Sequence, residues 1–473
     1  MAESPLSGAK KCQRGQDHVQ SAAADEGAPC DIHTPSYEVL LSYPDWDHPN
    51  LLSISDSSGR SLFVSRGISP PIIHKEQSAK HGGHHWLAYS ASGTVTGDVV
   101  YCHYGREEDF RRLRELGVSV EGRIALIRYG KVFRGDKVKA AQAEGAVAAV
   151  IFSDPAEVAQ GGLEDVYPRS VWMPGEGVQR GSLLTTKGDP LTPLYPSKAG
   201  AFSSRTVEDI KAAGQIPSIP ALPISYSTAY QILSRMDGPL VPVEWQGGLN
   251  TTYRLGPGME GGRTVTVQVT GNLTTRKISN VIGFIPGSVE KDRYVILGNH
   301  FDAWDYGSID PNSGTAILAE VARAMWDAEE FGLMGSTEWV EEHLEVLRQR
   351  AVAYLNMDCL SGNLTLDAST VPSLFDVLVA TAKKIPNPIK SEMVSNVSSS
   401  PEMAEAMEQL KLVHEAAEDF VHAAEDFVDE FEDVEEEYWK NPDKTMAGRA
   451  VAMEISIVFH SLNCASNSLK QFI

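Results

Sequence analysis

The chain has 473 residues, of which 42% are hydrophobic and 22% charged, so it is long enough for two or three domains with sizeable cores. Its net charge of −22 argues against nucleic acid or an anionic membrane surface as partner, although much of the acid sits in one segment, 402–437. No apolar run reaches the roughly 18 residues that a membrane-crossing helix needs, and the five scattered cysteines neither require nor exclude an oxidising compartment.

Residues 1–34 are polar, lack the apolar centre of a signal peptide, and read as a disordered lead-in. The string EVLLS at 38–42 reads as a strand that Tyr43-Pro44 breaks. From residue 53 to 274 the pattern is of short strands and loops. Its clearest unit is a strand GRIALIR at 122–128, a basic loop KVFRGDK at 131–137, a small-residue helix at 138–144, and a strand AAVIF at 148–152. Two Pro/Gly-rich loops follow, MPGEGVQR at 173–180 and GDPLTPLYP at 188–196. Four N-x-Ser/Thr sequons, at Asn250, Asn272, Asn363 and Asn396, suit a secreted protein and arise equally by chance.

The densest chemistry lies between residues 293 and 358. A buried strand, YVIL at 294–297, runs into Gly298-Asn299 and delivers His300 and Asp302 at its C-terminal end, where open α/β sheets place their ligands. Asp310 lies in the turn before a helix on which Ile317, Leu318, Val321, Ala324 and Met325 recur at helical spacing. The pair Glu329-Glu330 follows, and a second strand, AVAYL at 351–355, ends near Asp358. One imidazole with several carboxylates at strand ends and loops is the donor set of a hydrolytic zinc site. His300 is a zinc ligand type, and Asp302 stands where it can accept the other ring N–H and fix the tautomer. Glu338 and Glu341, three apart, share one face of a helix that Ser336 is expected to cap. On their own residues they are a solvated acidic face, as the basic loop is a solvated turn.

The strings NHFDAWDYGSIDPNSG at 299–314 and WDAEEFGLMGSTEW at 326–339 resemble the glutamate carboxypeptidase II, or N-acetylated alpha-linked acidic dipeptidase, family of di-zinc exopeptidases, to which the transferrin receptor is a non-peptidase relative. The resemblance runs with gaps from about residue 37 to 388 and more weakly beyond. It implies an α/β fold: a di-zinc aminopeptidase-like mixed sheet, an inserted protease-associated (β-rich) apical domain, and a C-terminal helical segment. The chain would divide into a lead-in at 1–34, a first part of the peptidase domain at 35–52, the apical domain at 53–274, an incomplete peptidase domain at 275–390, and a truncated dimerisation-type segment at 400–473.

Residue by residue, the resemblance makes Asp310 the carboxylate bridging two zinc ions, with His300 and Asp358 completing one shell and Glu330 holding the other metal. Glu329 becomes the general base that takes a proton from water. Arg134 becomes a contact to the substrate carboxylate, which a guanidinium fork pairs bidentately. Thr192 and Tyr195, with Glu338 and Glu341, become calcium ligands, hard oxygen donors that suit that ion. Family members are membrane-anchored extracellular ectodomains, and this chain shows neither signal nor spanning segment.

Two departures bear on activity. No strand-like run separates Met325 from Trp326, where the family carries a loop and a central strand, so Glu329 and Glu330 are expected to be displaced from the site. After residue 388 the expected remainder of the peptidase domain is absent, and with it the final histidine of one zinc. VFHS at 458–461 lies out of the family's order, so His460 is not expected to replace that ligand. Leu366-Asp367 stands where glutamate-specific members have an arginine, which removes support for an acidic preference. Beyond, 402–438 reads as a helix, with Val413, Ala417, Phe420, Ala424, Phe427, Phe431, Val434 and Tyr438 at alternating spacings of four and three, a seam that packs within the chain or in a homodimer. The function expected is zinc-dependent exopeptidase chemistry on small peptides, of the carboxypeptidase or dipeptidase type. The rival is an inactive, binding or poorly folded shortened form.

Overall fold

The computed structural model describes residues 31–72, 82–287, 289–305, 307–321, 324–358 and 370–384. Residues 1–30 of the expected lead-in, the expected acidic helix at 402–438, His460, Leu366-Asp367 and the sequons Asn363 and Asn396 lie outside the described residues. The end of the lead-in, expected to be disordered to residue 34, is instead ordered: Asp31–His33 form a strand paired antiparallel with residues 282–284. The chain divides at residue 360 into two units.

The first unit begins with strand β1 (Asp31–His33) and β2 (Ser36–Pro44). The second of these runs to Pro44, which closes it as its last residue and does not interrupt it. Then come β3 (Leu51–Ser55), β4 (Ser61–Val64), the short β5 (Leu87–Ala88), β6 (Gly93–Gly97) and β7 (Val99–Tyr101). Helix α1 (Glu107–Glu115) leads to β8 (Ile124–Arg128), helix α2 (Arg134–Ala143) and β9 (Ala148–Phe152). The helix starts four residues earlier than its small-residue run suggests: Arg134 and Lys137 belong to its first turn, because Phe133 supplies the extended residue at its start. Strands β10 (Gly181–Ser182), β11 (Ala221–Ile224) and β12 (Thr264–Val269) complete this part.

Two sheets result. One has the order β11-β9-β8-β7 and is parallel throughout. Its strands β8 and β9 are buried along their whole length, as continuous apolar runs in a parallel sheet must be. The other has the order β4-β3-β12-β6 and is antiparallel. Residues of β12 alternate between buried and less buried, because side chains alternate across a pleated strand.

A long two-stranded ladder, β2 with β13 (Gly271–Ser279), joins this part to the sheet that carries the site. That sheet contains β14 (Val281–Phe284), β15 (Tyr294–His300), β16 (Ala324–Trp326) and β17 (Ala351–Asn356), in the order β1-β14-β16-β15-β17. It is mixed: β16 runs antiparallel to β14 and parallel to β15, and β15 runs parallel to β17.

Strand β16 overturns the expectation that the preceding helix runs straight into Trp326. Helix α3 (Asn312–Val321) ends before it, and Ala324–Trp326 are buried between two ladder neighbours. A strand of three apolar residues has no period to read, and the same residues fall on a helical stripe. Pairing on both sides decides it.

One apolar core lies among the strands of the first two sheets, around Tyr101, Phe110, Ile127, Phe152 and Tyr253. A second crosses from the ladder to the mixed sheet, with Tyr37, Tyr89, Trp86, Trp326, Met334 and Trp339 in contact. Large side chains buried there contribute roughly 1.5–3 kcal/mol each. Helix α4 (Met334–Arg350) covers that side; Ser336 lies inside its first turn, and Leu333, in the left-handed region at φ 57°, precedes it. Ser336 therefore does not cap the helix; its hydroxyl donates to Leu333 O at 3.3 Å. Of the second unit, a short turn at Pro372–Leu374 and helix α5 (Phe375–Ala382) are described. Among the described residues no helix is long and apolar enough to cross a membrane.

Candidate metal centre

The expectation of a buried run at 294–297 is not met: Tyr294–Leu297 are half-buried or exposed, and β15 is buried only at its end, Gly298, Asn299 and His300. Asn299 and His300 do different work there. The Asn299 amide donates to Pro311 O at 3.0 Å and Thr315 Oγ1 at 2.9 Å, and Thr315 Oγ1 in turn donates to His300 O at 3.0 Å. This pins the turn carrying Asp310, and the start of α3, beneath the strand end. Gly314 lets β17 come close, since a Cβ there would lie 1.6 Å from Met357 O and 2.2 Å from Asp358 O. Backbone approach of that kind is open only to glycine. Neither Asn299 nor Thr315 was singled out from the sequence; the only signal was their place beside His300 and Asp310.

The side chains converge. His300 Nε2 lies 2.9 Å from Asp358 Oδ1 and 3.1 Å from Asp310 Oδ1, with Glu329 Oε2 at 3.9 Å. Donor atoms of His300, Asp310 and Asp358 all fall within 4.8 Å of one another. The imidazole is 2% exposed and Asp310 50%, so the cluster has a shielded floor and an open mouth.

Asp302 acts differently from the expected support of the imidazole. Its Oδ1 accepts the N–H of Glu329 at 2.9 Å and its Oδ2 that of Glu330 at 3.2 Å. The ring Nδ1 of His300 lies 3.4 Å from Asp302 Oδ1, a long electrostatic contact, and makes no hydrogen bond among the described residues. Asp302 thus clamps the backbone of the glutamate pair, for which β16 provides the approach. The expected displacement does not occur for Glu329, whose Oε2 stays 3.9 Å from His300 Nε2. Glu330 Oε1 accepts the N–H of Trp304 at 3.2 Å and stands outside the three-donor group.

Burial and mutual repulsion raise the acids. Desolvation pushes Glu329 up to about 7, against the pull of His300 and with help from Asp302, Asp358 and Asp310. Burial, with Asp302, Asp310 and Glu329, pushes Glu330 up to about 9. For His300 burial acts downward, but the carboxylates of Asp302, Asp310 and Asp358 outweigh it and hold the ring well above its ordinary value. Five carboxylates around one imidazole leave negative charge that only protons or a cation can balance. The donor set, one imidazole nitrogen and carboxylate oxygens in a partly open pocket, fits a divalent ion of the zinc type.

The second acidic group lies on α4. Glu338 is fully buried, and its two oxygens accept the N–H groups of Asp189 at 2.7 Å and Ser197 at 2.6 Å. Glu341 Oε1 accepts the N–H of Leu194 at 2.9 Å, while its Oε2 is buried without a hydrogen-bond partner among the described residues. Burial pushes both up to about 7. Thr192 Oγ1 donates to Asp189 Oδ2 at 3.0 Å, and the Tyr195 hydroxyl to Phe202 O at 2.7 Å. Asp189, which the sequence reading passed over, is the hub of this loop. Arg134 is half-buried with its guanidinium against Gly181, where a Cβ would lie 2.3 Å from Arg134 Cζ; its Nη1 reaches Ser182 O at 3.5 Å.

Residues 95–185 match the PA domain family, and residues 280–405 match peptidase family M28. The chain is 55% identical over 385 residues to the Glutamate carboxypeptidase 2 homolog of Caenorhabditis briggsae, covering 76% of this chain and 50% of that one. Against the protein of the same name in Caenorhabditis elegans the identity is 52%, with the same coverage. Aminopeptidase NAALADL1 of Mus musculus is 38% identical over 383 residues, covering 75% of this chain and 51% of its own. The chain spans about half the length of the curated relatives it matches. Among solved structures, the aminopeptidase from Aneurinibacillus sp. strain AM-1 aligns over 82% of this chain and 74% of its own, at 17% identity and a TM-score of 0.42, too loose a likeness to carry an assignment.

Proposed function

Because this chain belongs to the glutamate carboxypeptidase family of peptidases, we propose that it is a zinc-dependent exopeptidase removing C-terminal residues from small peptides. The observation that carries this reading is the convergence of Asp310 and Asp358 on His300 Nε2, with Glu329 beside them. His300, Asp310 and Asp358 would hold one ion, and Glu330 with Asp310 a second. Zinc bound there supplies Lewis acidity toward a peptide carbonyl and toward water.

Glu329 is the general base. Its Oε2 takes a proton from the attacking water and returns it to the departing amine, a role suited by a carboxyl held near neutrality. Asp302, by gripping two successive N–H groups, keeps that carboxylate at a fixed distance from the imidazole. Arg134, with one long hydrogen bond and a buried Nε lacking a partner among the described residues, retains donors for a substrate carboxylate. Calcium at Glu338, Glu341 and the 192–195 loop is the weaker part of the reading: both oxygens of Glu338 already accept backbone N–H groups, and only Glu341 Oε2 lacks a hydrogen-bond partner among the described residues.

The test is zinc content of the purified chain together with chelator-sensitive hydrolysis of a dipeptide panel. About one to two zinc ions per chain, with cleavage that a chelator abolishes, support the reading. Protein without zinc and without cleavage would leave a binding module on a peptidase scaffold.

A further inference from the structure

The segment that leaves the metal centre, residues 301–305, has no helix or strand of its own, so no ladder enforces its register. It is held from two sides instead. On the inner side Asp302 grips the N–H groups of Glu329 and Glu330, and the N–H of Trp304 donates to Glu330 Oε1. On the outer side Asp305 Oδ2 lies 2.9 Å from Arg180 Nη1, and Asp305 Oδ1 accepts the N–H of Gly83 at 3.2 Å. Between the two, the Trp304 ring lies edge-on to Trp86 at 4.9 Å and tilted against Phe331 at 5.5 Å.

Arg180 comes from the far end of the MPGEGVQR loop, in the part of the chain that carries the PA match, and its position does not depend on Asp305 alone. Its Nε donates to His84 O at 2.7 Å and its Nη1 to Val178 O at 3.2 Å. The arginine is 12% exposed and the aspartate 24%, so the pair is shielded far more than an ordinary surface ion pair. A guanidinium already fixed by two carbonyls offers the carboxylate a preorganised partner.

We propose that Arg180 is a positioning residue for the metal centre: through Asp305 it locks the 301–305 segment, and so sets where the Glu329-Glu330 pair stands relative to His300. The lever is short. Asp305 is one residue from Trp304, whose N–H holds the Glu330 carboxylate, and three from Asp302, which holds both glutamate N–H groups. The inference rests on the reading of His300, Asp310 and Asp358 as a zinc site.

The experiment measures zinc affinity of the full chain at 25 °C by competition with a chromophoric chelator, with a thermal melt of each variant alongside. Asp305→Asn keeps an oxygen for the Gly83 N–H and removes the charge. Partners one layer outside a metal site change affinity by roughly 10–100-fold, so Asp305→Asn and Arg180→Ala are expected to weaken zinc about 10-fold, with Arg180→Lys recovering only part of the loss because an ammonium lacks the fork that the two carbonyls fix. General destabilisation lowers the melt without moving zinc affinity far below it, which separates positioning from packing. If Arg180→Ala fails to fold, Asp305→Asn decides. Wild-type chain that binds no zinc overturns the zinc reading and this inference with it. Wild-type chain that binds zinc, with Asp305→Asn binding equally well, overturns this inference alone.

Discussion

Two groups of acids in this molecule are close in composition and opposite in construction. Around His300 the carboxylates of Asp310 and Asp358 point at one shared nitrogen and keep an open side toward solvent. Around Glu338 the carboxylate points at the chain's own amides, and the N–H groups of Asp189 and Ser197 use both its oxygens. The first is an arrangement that a cation completes; the second is largely complete as a strap tying the 188–197 loop to α4. A cluster of acids is therefore read by what satisfies its oxygens, since a carboxylate whose lone pairs are met by backbone N–H groups has little left for an ion.

The sharpest way to break the contrast is at the base. Glu329→Gln is expected to lower peptide hydrolysis about 10²–10⁴-fold while zinc affinity stays within a few-fold, measured by steady-state kinetics and metal competition. A comparable fall in zinc affinity would move Glu329 from base to ligand. Next, His300→Ala should weaken zinc by 100-fold or more in the same metal competition, on the order of losing one of three protein donors.

The strap is tested by stability. Glu338→Ala leaves two buried N–H groups unmet, each costing about 1–3 kcal/mol, so denaturant unfolding should show a loss of roughly 2–6 kcal/mol without any change in zinc affinity. If calcium stabilises the wild-type chain strongly and Glu341→Gln abolishes that gain, the second group is a cation site too and the contrast fails.

The smallest effect is in pH. Burial raises Glu338 and Glu341 to about 7, above their ordinary value of 4.5, so their contribution to stability is full below pH 4.5 and is lost as pH rises through 7. Thermal melts in chelator should fall by a few degrees between pH 5 and 8, and Glu338→Ala should flatten that slope. Zinc affinity should move the other way. Protons on His300 and on the raised glutamates compete with the ion, so binding tightens as pH rises from about 6 to 9.

The sequence alone singled out His300, Asp310 and Asp358, whose ligand-type atoms the fold brings within 4.8 Å of one another, the strand that ends at the first of them, and the family whose strings surround them. Those were legible because strand ends, turn residues and long motifs are local. It misjudged the run before Glu329: Ala324–Trp326 became a central strand because β14 and β15 offered ladders on both sides, partners that no local period reveals. Only the tertiary structure decided that Asp302 holds the glutamate backbone, that Glu338 is met by amides from a loop about 140 residues away, and that Arg180 reaches Asp305. Hydrogen-bond partners distant in sequence are chosen by packing, and a carboxylate's role follows from its partners rather than from its neighbours in the chain.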